Sequence, residues 1–229
     1  YYMASDSETY EVFDICYDYD THGILLDYFK GAVSLEYVLE KKRQQEYIYP
    51  ENYVKLRFLE NHDNPRIASL VPNEALLYQW TAFLYFEKGT TLLYAGQEAK
   101  DSNVPSLFGI DPVNWSGLEE AFVTFIRKLG QMKKETIFAK GHYKIHKMPE
   151  NQVIYASYVL GNEIVLGLFN MGLKTGEIDL TIPNGGELGF TALDGIYSNE
   201  IDGEEYHIVD NRMELSQKPI IIKLTKNNE

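Results

Sequence analysis

The period of the hydrophobic pattern changes part-way along the chain. In the first part, strand-like runs alternate with segments of helical period. "YEVFDICYDY" reads as a strand. "GAVSLEYVLEKKRQQ" reads as a helix with Leu35, Val38 and Leu39 on one face and charges behind. "YVKLRFLE" is a second strand, and "NEALLYQWTAFLYFEKG" is a helix apolar nearly all round, which predicts burial. Asn73 suits its N-cap and Gly89 its stop. "TTLLYAG" is a third strand, followed by the turn-rich loop "GQEAKDSNVPSLFGIDPVNWSG". Leu118, Ala121, Phe122, Phe125, Ile126, Leu129 and Met132 then form a helical stripe.

Past about residue 140 the period falls to two. "NQVIYASYVLGNEIVLGLFN" predicts two strands around a Gly161-Asn162 hairpin turn. "GEIDLTIPNGG", "GFTALDG", "EEYHIV" and "KPIIIKL" continue the pattern, with Gly, Pro and Asn between them. Sequential strand–helix units predict a parallel sheet, and the second part predicts an all-β antiparallel sandwich. The expected fold is α/β followed by all-β, with a boundary in "TIFAKGHY": residues 1–138 and 139–229. Three βα units are too few to close an eight-stranded barrel, which leaves a small open layer or the last part of a barrel.

Composition narrows the function. Hydrophobic residues make up 45% of the 229, enough for a sizeable core. The net charge of -13 opposes a phosphate backbone, so nucleic acid is not an expected partner. No run of 18 apolar residues is present, so no membrane association is expected. The single cysteine, Cys16, rules out an internal disulfide and predicts a buried strand thiol. No signal peptide is visible, although the chain opens on Tyr1-Tyr2, and a cytoplasmic setting is slightly favoured over secretion.

The chemistry gathers in "FLENHDNPRIAS". A strand-like run ends there in Asn61-His62-Asp63, an amide, an imidazole and a carboxylate. Turn formation alone explains Asn and Asp before Pro65. A site explains them equally, because βα loops at strand ends carry catalytic groups in barrels. Gly96-Gln97-Glu98 ends the next strand, 35 residues after Asp63, a suitable length for one helix and one strand. His142 and His146 have helical metal-site spacing, but "GHYKIHKM" alternates as a strand with polar positions outward, so no metal is assigned there. Asp14, Asp18 and Asp20 share a strand parity but lack the glycine and spacing of a calcium loop. Neither metal nor cofactor is expected. Trp115, Tyr94 and Phe108 are candidates for stacking on sugar or for the core, and Asn114-Trp115-Ser116 is a formal glycosylation sequon.

"FLENHDNPRIAS" resembles the Asn-His-Asp signature at the seventh barrel strand of the α-amylase family of glycoside hydrolases. "GTTLLYAGQE" is similar to that family's last barrel strand, "FDICYDYD" to the segment near its sixth, and the trailing all-β part to its C-terminal sandwich. The resemblance implies the last three βα units of a (β/α)8 TIM barrel followed by the C-terminal β-sandwich domain. It implies retaining cleavage of α-glucosidic bonds in malto-oligosaccharides or starch-like glucans. Asp63 would stabilise the transition state, His62 and Asn61 would bind substrate, and Arg66 and Glu98 would support them.

The sequence departs from the family pattern in having no Gly-x-Arg-x-Asp segment, which would carry the nucleophile. The acid/base Glu is expected before Tyr1 or replaced near Met3; Glu8 and Glu11 are near but sit at no strand end. The chain alone is therefore expected to be inactive, and to need the N-terminal barrel part or to self-associate. Two rivals stand beside this reading. One is a non-catalytic amylase-like binding or partner subunit. The other is an unrelated open α/β domain with a sandwich.

Overall fold

In the computed structural model, which describes residues 5–148, 152–181 and 193–225, the chain forms two units, Tyr1–Leu77 with Glu87–Arg127 and Tyr78–Phe86 with Lys128–Glu229. The first begins with helix α1 (Ser5–Thr9), strand β1 (Ile15–Tyr17), α2 (Tyr19–Phe29), α3 (Leu35–Ile48) and β2 (Val54–Arg57). After these come α4 (Ile67–Leu70), α5 (Glu74–Phe86), β3 (Thr90–Thr91) and α6 (Glu120–Met132). Short 3-10 turns cover Gln97–Ala99 and Trp115–Gly117. Side chains start two of the helices: Ser34 accepts the Tyr37 N–H at 3.2 Å for α3, and Asn73 accepts the Leu76 N–H at 3.1 Å for α5.

The three strands pair in parallel in chain order, with Ile15 beside Val54 and Leu56 beside Thr90. One face of this sheet presents Ile15 and Tyr17, 51% and 46% exposed. The other carries Cys16, Lys55 and Arg57, all buried. Lys55 and Arg57 meet a polar layer from α2 and α3. Arg57 Nη1 lies 2.6 Å from both Asp18 Oδ2 and Gln45 Oε1. Lys55 Nζ lies 3.1 Å from Asp20, and Lys42 Nζ lies 2.6 Å from Glu87. Burial alone would raise the Asp18 carboxyl, but Arg57 and Lys42 more than reverse this and hold it far below the usual range. Burial and the neighbouring Asp18 charge push Asp20 up. Asp18 is thus an internal ion partner of Arg57, and Asp20 lies against Lys55 in the same layer.

Three expectations are modified here. The strand expected over "YEVFDICYDY" contracts to Ile15–Tyr17, and α2 begins directly after it. The buried face of α2 is Asp20, Thr21, His22 and Leu25, mostly polar, so hydrophobic periodicity could not reveal the helix. On α3 the buried stripe runs on from Leu35, Val38 and Leu39 to Lys42 and Gln45. Those residues read as an exposed charged face because their partners lie on other elements.

The second unit contains α7 (Thr136–Lys140) and the strands β4 (His142–His146), β5 (Val153–Leu160), β6 (Glu163–Asn170) and β7 (Glu177–Asp179). It continues through β8 (Gly195–Ser198), β9 (Glu205–Ile208), β10 (Arg212–Glu214) and β11 (Ile220–Thr225). A four-stranded antiparallel sheet has the order β11-β6-β5-β4, and β10–β7 and β8–β9 form smaller pairs. Ile164, Leu166 and Leu168 of β6, with Ile220, Ile222 and Leu224 of β11, pack against Ile178, Ile208 and Met213 of those pairs. This alternation is what makes a two-layer sandwich. The opposite face of the large sheet is covered too, by Phe86 against Phe169 and Tyr158 and by Phe138 against Tyr158. The sheet is therefore buried on both sides. Hence His146, expected to point outward, is buried and bonded to Ser157 Oγ at 2.8 Å. The strand expected over "GFTALDG" lies mostly outside the described residues, and β8 starts at its last glycine, Gly195.

Candidate active site

The run after β2 stays buried through Phe58, Leu59 and Glu60 to Asn61, then turns outward. Asn61 Oδ1 accepts the Asp63 N–H at 3.0 Å and the Asn64 side-chain amide at 2.6 Å. Asn61 thus makes an Asx turn, and the turn presents the next two side chains. His62 and Asp63 have side chains 58% and 47% exposed, with His62 Nε2 3.4 Å from Asp63 Oδ1. Tyr19, at the start of α2, accepts from Asn61 Nδ2 at 2.8 Å and reaches Asp63 Oδ2 at 3.4 Å. Burial, with the Asp63 charge adding to it against the Asn61 bond, raises the Tyr19 phenol above its usual range, so it stays an O–H donor.

The base of the turn is held from two sides. His22 bonds through Nε2 to the Leu59 carbonyl at 3.0 Å and stacks on Phe58 at 4.2 Å between centroids. A carbonyl only accepts, so that nitrogen carries the proton. Burial pushes His22 down, against the Leu59 bond, which keeps it neutral. On the other side Arg66 donates to Glu60 at 2.8 Å and to the Ala95 carbonyl at 2.7 Å, and stacks over Tyr94. Its Nη2 lies 3.6 Å from Asp101, whose carboxylate also accepts the N–H groups of Asn103 and Asn114. Burial opposes ionisation of Asp101, but those backbone bonds and Arg66 outweigh it, so its carboxyl is held low. Arg66 thus joins the Asn61–Asp63 turn to the segment after β3.

Gly96 shows how close that join is. Its φ is +98°, and a β-carbon there would lie 2.8 Å from Val113 Cγ1 and 3.2 Å from the Arg66 guanidinium. Glu98 bonds the Gly96 N–H at 2.9 Å, within its own turn. Phe108 and Trp115 are exposed on the following loop, whereas Tyr94 lies under Arg66. Of the residues singled out in the sequence, Asn61, His62 and Asp63 form one group and Arg66 braces it. Tyr19, His22, Glu60 and Asp101 were not anticipated. The one signal was position: Glu60 immediately precedes Asn61, and Tyr19 follows the preceding strand.

Residues 144–222 match the sequence model of the bacterial α-amylase C-terminal domain. The chain carries an α-amylase-family C-terminal region. An α-amylase of Saccharomycopsis fibuligera is 27% identical over 134 residues, covering 56% of this chain and 26% of that protein. The solved α-amylase of Lactobacillus plantarum superposes with a TM-score of 0.84 at 28% identity, over 96% of this chain and 50% of that one. A maltogenic α-amylase of Thermotoga neapolitana gives 0.84 at 27% identity, over 97% and 53%. The chain thus spans about half the length of those solved relatives and aligns with about a quarter of the Saccharomycopsis fibuligera protein.

Proposed function

We propose that this chain is the C-terminal part of a retaining glycosidase that cleaves α-glucosidic bonds of malto-oligosaccharides or starch-like glucans. In this reading residues 1–138 supply the last three βα units of a (β/α)8 barrel and residues 139–229 its C-terminal sandwich. The supporting observation is Asp63, a half-exposed carboxylate on a braced turn after the central parallel strand, flanked by His62 and the Tyr19 hydroxyl. The likeness to α-amylases over nearly the whole chain adds to it.

Retaining cleavage needs a nucleophile and a proton donor about 5–5.5 Å apart and passes through an oxocarbenium-like transition state. Asp63 has the character of a third carboxylate, one that stabilises that positive charge. Its carboxylate lies 3.4 Å from both His62 Nε2 and the Tyr19 hydroxyl while its outer side meets water. A sugar that covers it would exclude that water and strengthen the attraction when charge develops. His62 contacts sugar hydroxyls at the same rim, Asn61 beneath it has one amide hydrogen left to offer substrate, and Arg66 and Glu98 hold the loops. The nucleophile and the acid/base come from the remaining barrel. The open sheet face of Ile15 and Tyr17 fits docking of that part or, without it, self-association.

The test replaces Asp63 by Asn in the full-length gene product and assays maltoheptaose. The expected loss falls on kcat, by at least about 100-fold, the usual worth of one preorganised electrostatic contact. A kcat near that of the wild type, or a full-length product without glycosidase activity, refutes the reading. The second result favours a non-catalytic amylase-like subunit. For this chain alone, no turnover and association in light scattering are expected.

A further inference from the structure

Asn61 Oδ1 faces the Asp63 backbone N–H, which can only donate, so the orientation of the amide is fixed. Asn61 Nδ2 must then point at Tyr19 and donate to its oxygen, at 2.8 Å. With its oxygen occupied as acceptor, the Tyr19 hydroxyl has its proton left for a single partner. That partner is Asp63 Oδ2, at 3.4 Å, a long contact that a small shift of the exposed carboxylate would close. The Tyr19 ring is clamped by Tyr17 (5.6 Å, stacked), Phe58 (5.2 Å, edge-on) and His22 (6.4 Å, edge-on), measured between centroids. A tyrosine has only two side-chain torsions, so a clamped ring leaves its hydroxyl little freedom.

We propose that Tyr19 is a positioning residue for Asp63: its hydroxyl, set between the Asn61 amide and the Asp63 carboxylate, fixes where that carboxylate points. This rests on the role proposed for Asp63 above. Tyr19 acts on it by two routes, directly on Oδ2 and through Asn61, whose side chain builds the turn that carries Asp63. A tyrosine present only for packing would need no hydroxyl. Tyr19→Phe keeps the ring clamp and removes the hydroxyl alone.

The experiment compares Tyr19→Phe, Asp63→Asn and the double variant in the full-length protein. Tyr19→Phe should lower kcat about 10-fold with KM nearly unchanged, the worth of one hydrogen bond to a charged group. In the Asp63→Asn background the same change should cost nothing further, because residues acting as one unit are not additive. A kcat within about two-fold of wild type for Tyr19→Phe, while Asp63→Asn is severely impaired, overturns the positioning role and leaves the reading of Asp63 intact. Full additivity also overturns it, since that marks a general packing effect. A measurement independent of activity separates the two claims. In protein labelled with 15N-asparagine, the Asn61 side-chain amide should exchange slowly with solvent, and quickly in Tyr19→Phe. An Asn61 amide that is unchanged in Tyr19→Phe refutes the linkage whatever the assays show.

Discussion

Arg66 Nη1 lies 2.8 Å from Glu60 Oε1, and the second oxygen of Glu60 accepts the Ile67 N–H at 2.7 Å. Glu60 and Arg66 thereby close the segment of five residues between them that contains Asn61, His62 and Asp63. Both are buried, and burial pushes the Glu60 carboxyl up, against the bonds from Arg66 and Ile67. Breaking one side of a buried pair leaves the other charge without a partner. Arg66→Ala should therefore destabilise the first unit by about 3–5 kcal/mol, measured by urea unfolding. Arg66→Lys should recover little of it, because an ammonium cannot reach Glu60, Ala95 and Asp101 as a planar fork does.

His146 predicts acid sensitivity. In the unfolded chain an imidazole titrates near 6.5; in the fold burial, then Lys144, push His146 down to about 4. The folded state thus favours the neutral form. The stability it contributes is complete above the unfolded value and is lost as pH falls from there toward the folded one. The full gap corresponds to about 3 kcal/mol. Between pH 7 and 5.5 the wild type should lose about 1 kcal/mol more than His146→Gln, read from urea midpoints at each pH. An identical pH slope in the two proteins would count against it. His22, also lowered by burial, acts in the same direction.

Gly167 lies in β6, where the large sheet meets aromatic rings on its helical side. A β-carbon there would lie 2.8 Å from the Phe169 ring and 2.9 Å from the Phe86 ring, both fully buried. Gly167→Ala should cost about 1–3 kcal/mol through overpacking, and a lower thermal midpoint is the readout. No loss of stability would mean that the two rings can move aside.

Much of the architecture was legible. The stripe from Phe122 to Met132 became the buried side of α6, with Leu118 left exposed before the helix and Ala121 exposed on it; Asn73 became the cap of α5, and the Gly161-Asn162 turn joins β5 and β6. Each rests on a local rule: helical period, a capping oxygen, or a two-residue turn between alternating strands. Cys16 is buried in β1 as expected. The Asn61-His62-Asp63 group could be picked out because polar residues end a buried run. What could not be read was everything held by partners distant in sequence. Lys42 meets Glu87, Arg57 meets Asp18, and Tyr19 meets Asn61, across 45, 39 and 42 residues. A charged side chain buried by a distant counter-charge has the local signature of an exposed one. Strand lengths were overestimated for a related reason. Phe58 and Leu59 after β2 are apolar because they are buried, whether or not they are paired, whereas Val12 and Phe13 before β1 are apolar yet exposed and unpaired in the sheet.

Gly89 lies between α5 and β3 with φ +117°, and the carbonyl oxygen of Lys55 occupies the place where its β-carbon would be. Every other amino acid carries a β-carbon, so substitution there faces both a backbone conformation costly to L-residues and a collision with the main chain of β2. Main chain in the middle of a sheet cannot yield as a side chain can. In a saturation library screened for folded protein, every missense codon at this position should be depleted, alanine and serine as strongly as tryptophan. Neighbouring Lys88, only partly buried, should tolerate a broad alphabet. Recovery of Gly89→Ala at the frequency of silent changes would show that the sheet opens there more readily than its packing implies.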